Sequence, residues 1–130
     1  MECPCGSKKN YDICCGPFHT GEKVPVTPEE LMRSRYSAYA LKKFDYIEAT
    51  MGEKALEQYN PTEARQLAEY TDWLGLQVLF CDEREDEGTV HFIAYYRVKG
   101  VKRGMHEISQ FKKMNQKWYY VDGQVTFLED

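Results

Sequence analysis

The residues best able to do chemistry stand at the start of the chain, in the run Cys3-Pro4-Cys5-Gly6-Ser7-Lys8-Lys9-Asn10-Tyr11-Asp12-Ile13-Cys14-Cys15-Gly16. Two thiols one residue apart, a spacer, and then two adjacent thiols can converge on one point. A zinc ion takes four such soft donors as a tetrahedron, at about 2.3 Å from each sulfur. Gly6 can adopt the backbone angles that turn the loop back, and Pro4 stiffens the gap between the first two ligands. With Cys3, Cys5, Cys14 and Cys15 filling every position, no place is left for water or substrate. The expected Zn2+ is therefore structural. Four thiolates on one dication leave a net negative centre, which Lys8, Lys9 and turn amides can offset. The energetics agree. A short segment whose main apolar content is Tyr11 and Ile13 cannot order itself by burial, whereas structural zinc supplies about 10–16 kcal/mol. The alternative is a pair of disulfides or loose thiols, which a reducing compartment disfavours.

That compartment is an expectation from the N-terminus, Met1-Glu2-Cys3-Pro4-Cys5, which has neither the basic nor the apolar region of a secretory signal. No stretch approaches the roughly 20 apolar residues of a membrane span. A cytoplasmic protein is predicted. Its 130 residues allow one respectable core. The net charge of −4 argues mildly against wholesale nucleic-acid binding. Ten tyrosines favour a sheet-rich core or a cavity walled by amphipathic rings.

The elements that must carry these residues follow from periodicity. Thr27-Pro28-Glu29-Glu30 is a helix start, with a Thr N-cap, Pro in the first turn and carboxylates near the positive end of the dipole. That helix is predicted to about Lys43, with Met32, Tyr36, Tyr39 and Ala40 on one stripe. A short helix follows over about Asp45 to Thr50. Asn60-Pro61 opens a third, where Ala64, Leu67, Ala68 and Thr71 keep helical spacing. From Trp73 the period becomes two. Leu74, Leu76, Val78 and Phe80 alternate up to an acidic turn ending in Glu87-Gly88. Val90, Phe92, Ala94, Tyr96 and Val98 alternate with His91, Ile93, Tyr95 and Arg97. A strand over about Lys102 to Lys113, a turn at Asn115-Gln116 and a strand from Trp118, closed by Asp122-Gly123, complete a meander. Helices first and an antiparallel sheet after is an α+β plan. The expected division is a knuckle over 1–20 and an α+β domain over 27–130.

The cysteine segment resembles the SEC-C motif, C-P-C-G-S-x-K-x-Y-x-x-C-C/H. Cys3, Pro4, Cys5, Gly6, Ser7, Cys14 and Cys15 match outright, while Lys8, Lys9 and Tyr11 match with small shifts. The remainder is similar to the YchJ-like family through Leu31-Met32-Arg33-Ser34-Arg35-Tyr36, Trp73-Leu74-Gly75-Leu76, His106-Glu107-Ile108-Ser109-Gln110-Phe111 and Trp118-Tyr119-Tyr120-Val121-Asp122-Gly123. The resemblance implies an NTF2-like cone, helices wrapped around a bent sheet. Members often carry Trp-His-Pro where this chain has Met51-Gly52, so any role for that His is absent. Many also end in a second knuckle, which this chain lacks before Asp130.

Cones of this kind enclose a pocket, and its candidate lining residues are His91, Tyr95 and Arg97 on one strand with Glu107 and Ser109 on the next. A Glu or His of shifted pKa there could act as general base. The plainer expectation is that His91 and Arg97 face solvent and Glu107 pairs with a base. Arg33 and Arg35 point about 200° apart around the helix axis and form no common clamp; structural pairing is the expectation, one of them reaching inward to a carboxylate being the form considered. Cys81 is read as a packed or half-exposed thiol facing away from Leu76 and Phe80. The basic residues Arg97, Lys99, Lys102, Arg103, Lys112, Lys113 and Lys117 could make one electropositive hairpin for an RNA or ribosome contact. The preferred reading is a binding module without catalysis: the knuckle docks a protein and the cone holds a ligand or second partner. An enzyme acting in the cone on a small apolar or carbonyl-bearing substrate is the alternative.

Overall fold

The computed structural model describes residues 1–128. A 3-10 turn (Tyr11–Ile13) and a short helix α1 (Gly16–Thr20) follow the first cysteines. Four helices come next: α2 (Pro28–Leu41), α3 (Phe44–Ala49), α4 (Glu53–Gln58) and α5 (Pro61–Tyr70). Strands β1 (Thr71–Arg84), β2 (Glu87–Val98), β3 (Val101–Met114) and β4 (Lys117–Leu128) then form one antiparallel sheet in the order β1-β2-β3-β4.

The helix starts are built as their residues dictate. Thr27 Oγ1 accepts from the Glu30 N–H at 3.1 Å, and the Glu30 carboxylate returns to the Val26 N–H at 2.8 Å, so two otherwise orphaned donors are satisfied. Asn60 caps α5 in the same way, its Oδ1 accepting from the Glu63 N–H at 3.0 Å. Two hairpin turns, Lys99-Gly100 (φ 51° and 82°) and Asn115-Gln116 (φ 52° and 67°), are left-handed at both positions, the turn whose twist suits paired strands. The acidic turn sits at Glu85-Asp86, and Glu87-Gly88 already belongs to β2.

The main core lies between α2 and one sheet face: Leu31, Met32 and Tyr36 against Val90, Phe92, Ala94, Phe111 and Trp118. A smaller cluster joins Ala38 of α2 to Phe44 and Ile47 of α3. Gly88 makes the tightest contact between layers, since a Cβ there would lie 2.3 Å from Pro28 Cγ. The helix α2 is buried almost all round because it has a third neighbour, the cysteine knuckle.

Several sequence expectations need correction. Helices α1 and α4 fill stretches to which periodicity assigned no element. In β1 the register slips between Trp73 and Gly75 and again between Val78 and Phe80. Each bulge inserts a residue and reverses the faces beyond it. Trp73, Leu76 and Val78 therefore pack inward, while Leu74 and Phe80 are exposed. Cys81 comes round to pair with buried Val90 and reaches Glu29 at the start of α2, 3.4 Å away. β4 also does not close at Asp122-Gly123; a bulge opposite Gln110 and Phe111 carries it on to Leu128.

Candidate functional site

Chemistry gathers in two places, both built on α2. The first is the knuckle. The four sulfurs of Cys3, Cys5, Cys14 and Cys15 all lie within 4.8 Å of one another, and Cys5 Sγ to Cys14 Sγ is 3.6 Å. The edge of a tetrahedron with about 2.3 Å metal–sulfur bonds is about 3.8 Å, so the cluster fits a single metal ion. None of the four is in a disulfide. Gly6 takes φ 82°, and a Cβ there would press 3.3 Å against the Leu76 carbonyl, so glycine serves both the turn and the close approach to β1.

The sulfurs are held from outside. Ser7 Oγ is 3.1 Å from Cys14 Sγ, and Ser37 Oγ of α2 is 3.4 Å from Cys3 Sγ. Arg33 Nη1 donates to the Cys5 carbonyl at 2.7 Å while its Nε pairs with Glu29 at 2.9 Å. In the free-thiol cluster the Cys15 S–H donates to Cys5, which draws the Cys5 thiol down to about 4 and pushes Cys15 up. A bound cation would deprotonate the cluster's thiols.

His19 was missed as a functional residue, and only its closeness to Cys15 in sequence hinted at it. Its Nε2 is 2.8 Å from the Ser34 carbonyl, which can only accept, so Nε2 carries the proton. Nδ1 then accepts from Tyr11 Oη at 2.6 Å. Burial lowers its pKa, so the ring is a neutral strut between knuckle and α2.

The second place is a cavity of about 420 Å3 between α2, the α3–α4 corner and the core face of the sheet. Most of its wall is apolar or aromatic, including Met32, Tyr36, Trp73, Phe92 and Met105. Strand alternation decides which candidates reach it. Glu107 pairs with Phe92 and Ser109 with Val90, so both face inward. His91, Tyr95 and Arg97 occupy the alternate positions of β2 and stand on the opposite face, where His91 packs between Phe80 and His106. The expected five-residue grouping is therefore split two and three by the sheet itself. Nor does Glu107 pair with a base: Ser109 Oγ donates to its Oε2. Burial holds the Glu107 carboxyl above the usual carboxylate range, more than that hydrogen bond or Arg35 lowers it.

Arg35 turns inward as one of the two arginines was expected to, but to no carboxylate. Its Nη1 donates to the Ile47 carbonyl at 2.9 Å and to Thr50 Oγ1 at 2.6 Å, and the guanidinium lies 4.7 Å over the Tyr120 ring. Burial pushes Tyr120 up to about 12, with Glu107 adding to it. Gly123 makes room for both: a Cβ there would sit 2.5 Å from Tyr120 Oη and 3.0 Å from Glu107 Oε2. The Tyr59 hydroxyl is buried without a hydrogen-bond partner among the described residues.

The basic residues do not form one patch. Arg97, Lys99, Lys102 and Arg103 surround the β2–β3 turn, whereas Lys112, Lys113 and Lys117 sit at the β3–β4 turn, the other end of the 14-residue β3. No helix is long and apolar enough to cross a membrane.

Comparison with known proteins agrees with this architecture. Residues 2–17 match the SEC-C motif, and residues 27–123 match the family described as YchJ, middle NTF2-like domain. A UPF0225 protein of Geobacter sulfurreducens is 40% identical over 124 residues, covering 93% of this chain and 77% of its own length. The solution structure of a SEC-C motif containing protein from Rhodopseudomonas palustris superposes with a TM-score of 0.89 at 44% identity, covering 95% of this chain and 98% of that one. The crystal structure of a SEC-C motif containing protein from Psychrobacter arcticus gives 0.83 at 28% identity, over 100% of this chain and 85% of that one. The chain belongs to the UPF0225 family, in which a SEC-C cysteine cluster precedes a YchJ-type NTF2-like domain.

Proposed function

We propose that the protein is a small-molecule-binding module whose cavity wall is braced by a structural zinc site. The observation that carries this reading is the composition of the cavity: a largely apolar, aromatic space with a few converging polar groups, the usual make-up of a ligand pocket. Binding is favoured over catalysis because none of the three histidines lines the cavity and its two carboxyl groups are unlike, Glu107 buried and Asp122 exposed at the rim, while His91 lies behind the sheet. Zinc is the metal that suits four thiolates in a closed tetrahedral set. The neutral fluorophore N-phenyl-1-naphthylamine should bind saturably with a blue shift, and Ala55→Trp, which fills the wall from α4, should abolish it. Unsaturable binding, or binding indifferent to Ala55→Trp, would remove the cavity from consideration.

The knuckle face supports a second role, docking of a protein partner. Ile13, Val24 and Val26 are exposed around a groove bordered by Lys9, Lys23, Glu29 and Glu30, which suits a segment bearing an apolar side chain between groups of both signs. A photo-crosslinker at position 26 should give a discrete adduct in cells that Ile13→Asp removes. A ladder of unselective adducts would count against it.

A further inference from the structure

The cavity does not end under α2. A second space of about 760 Å3 lies beneath α5 and shares Tyr39, Gln58, Tyr59, Trp73 and Met105 with the first. The two spaces adjoin across these five side chains. The α5 side is walled by Ala64, Leu67, Ala68 and Val98, with Asn60, Glu63 and Arg103 exposed at its rim, so its inner surface suits hydrocarbon.

The near part carries charge. Arg35 is only 6% exposed and has no carboxylate within ion-pair distance among the described residues. A guanidinium has five N–H donors in a planar fork. Nη1 is occupied by Ile47 and Thr50, while Nε and Nη2 meet no acceptor among the described residues. Of the two acids that line the cavity, Asp122 is exposed and outside ion-pair distance, and Glu107 is disfavoured as an anion by burial, so it offsets the cation poorly. Tyr59 adds a buried hydroxyl with nothing to donate to. Buried cations are ordinarily paired, and buried hydroxyls ordinarily bonded. Here the missing partner is an anion.

We propose that the joined compartment takes an apolar carboxylic acid, its carboxylate held by the free N–H groups of Arg35 and by the Tyr59 hydroxyl, and its hydrocarbon running past Trp73 and Met105 under α5. This rests on the ligand-binding reading above and adds the sign and shape of the ligand. The geometry demands an elongated monoanion: the polar groups cluster at one end, and the remaining wall offers no second cation buried with them.

Calorimetric titration of the full chain with decanoate, decanol and decylammonium tests it. Decanoate should bind at least about tenfold more tightly than either of the others, since a charge-assisted hydrogen bond in a buried site is worth about that factor or more. Arg35→Gln should erase the preference. Because Arg35 also ties α2 to Ile47 and Thr50, that variant can lose its fold, and Tyr59→Phe then decides. It removes a hydroxyl with no protein partner, so its melting midpoint should hold while decanoate binding weakens about tenfold. Decanol binding as tightly as decanoate, or Tyr59→Phe leaving decanoate unaffected, overturns the anion assignment and leaves the cavity reading standing. No saturable binding of any of the three overturns both.

Discussion

Individual side chains make the sharpest claims. With four sulfurs mutually within 4.8 Å and no fifth donor in the cluster, loss of one leaves three ligands and an open position. Elemental analysis of the purified protein should return about one metal equivalent, set by a single four-thiolate centre. Cys14→Ser should abolish it, and Cys81→Ser, changing a thiol bonded only to Glu29, should leave it intact. Glu107 gives a pH signature. Burial raises its carboxyl pKa above the unfolded value, so the folded state holds the proton more tightly. The resulting stability is fully present below about pH 4.3, the usual Glu value, and is lost as pH rises through the folded pKa. Urea midpoints across pH 4 to 7 should fall for the wild type, and Glu107→Gln should flatten the fall. A parallel pair of curves would show that Glu107 is not the group responsible.

At the scale of elements, packing between layers is set by a few close approaches. Gly88 of β2 lies under Pro28 at the start of α2, where a Cβ would be 2.3 Å from the ring. Gly88→Ala should therefore lift α2 from the sheet and cost about 1–3 kcal/mol, as overpacking does, read as a lowered urea midpoint with an unchanged m-value. These elements also show what could be read from residue order. The Thr27 and Asn60 caps placed α2 and α5, and strict alternation placed β2, because both signals are local and repeat along one segment. The convergence of the four cysteines was legible for the same reason. The β1 bulges were not, since a bulge is decided by the partner strand and leaves no trace in one strand's alternation; hence Phe80 and Cys81 exchanged faces. His91, Tyr95 and Arg97 shared the strand of Phe92 but not its side. Tyr59 escaped notice, and Arg35 was expected to meet a carboxylate, because their significance lies in absent partners, which only packing reveals.

Over the whole molecule, three clusters stand side by side: the sulfurs, the α2–sheet core and the α2–α3 cluster. The α2–sheet core draws no residue from the knuckle. A chain of residues 21–130 should accordingly still melt cooperatively. Its midpoint should fall, because Ser34 and Ser37 lose the cover of His19 and Cys3. A broad, non-cooperative melt would mean that the knuckle is part of the core. The meander also has a consequence for life in a crowded solution. Nearest-neighbour pairing leaves β1 and β4 each with an unpaired row of backbone N–H and C=O groups, the template on which foreign strands add and aggregates grow. This molecule interrupts both rows. The chain at Thr50–Gly52 bonds both backbone groups of Tyr120, at 2.8 Å each. On the other side Gly6 lies against the Leu76 carbonyl, and two kinks break the line of β1. A cysteine loop that loses its metal would thus uncover the middle of an edge, and the first sign of its loss would be turbidity rather than unfolding.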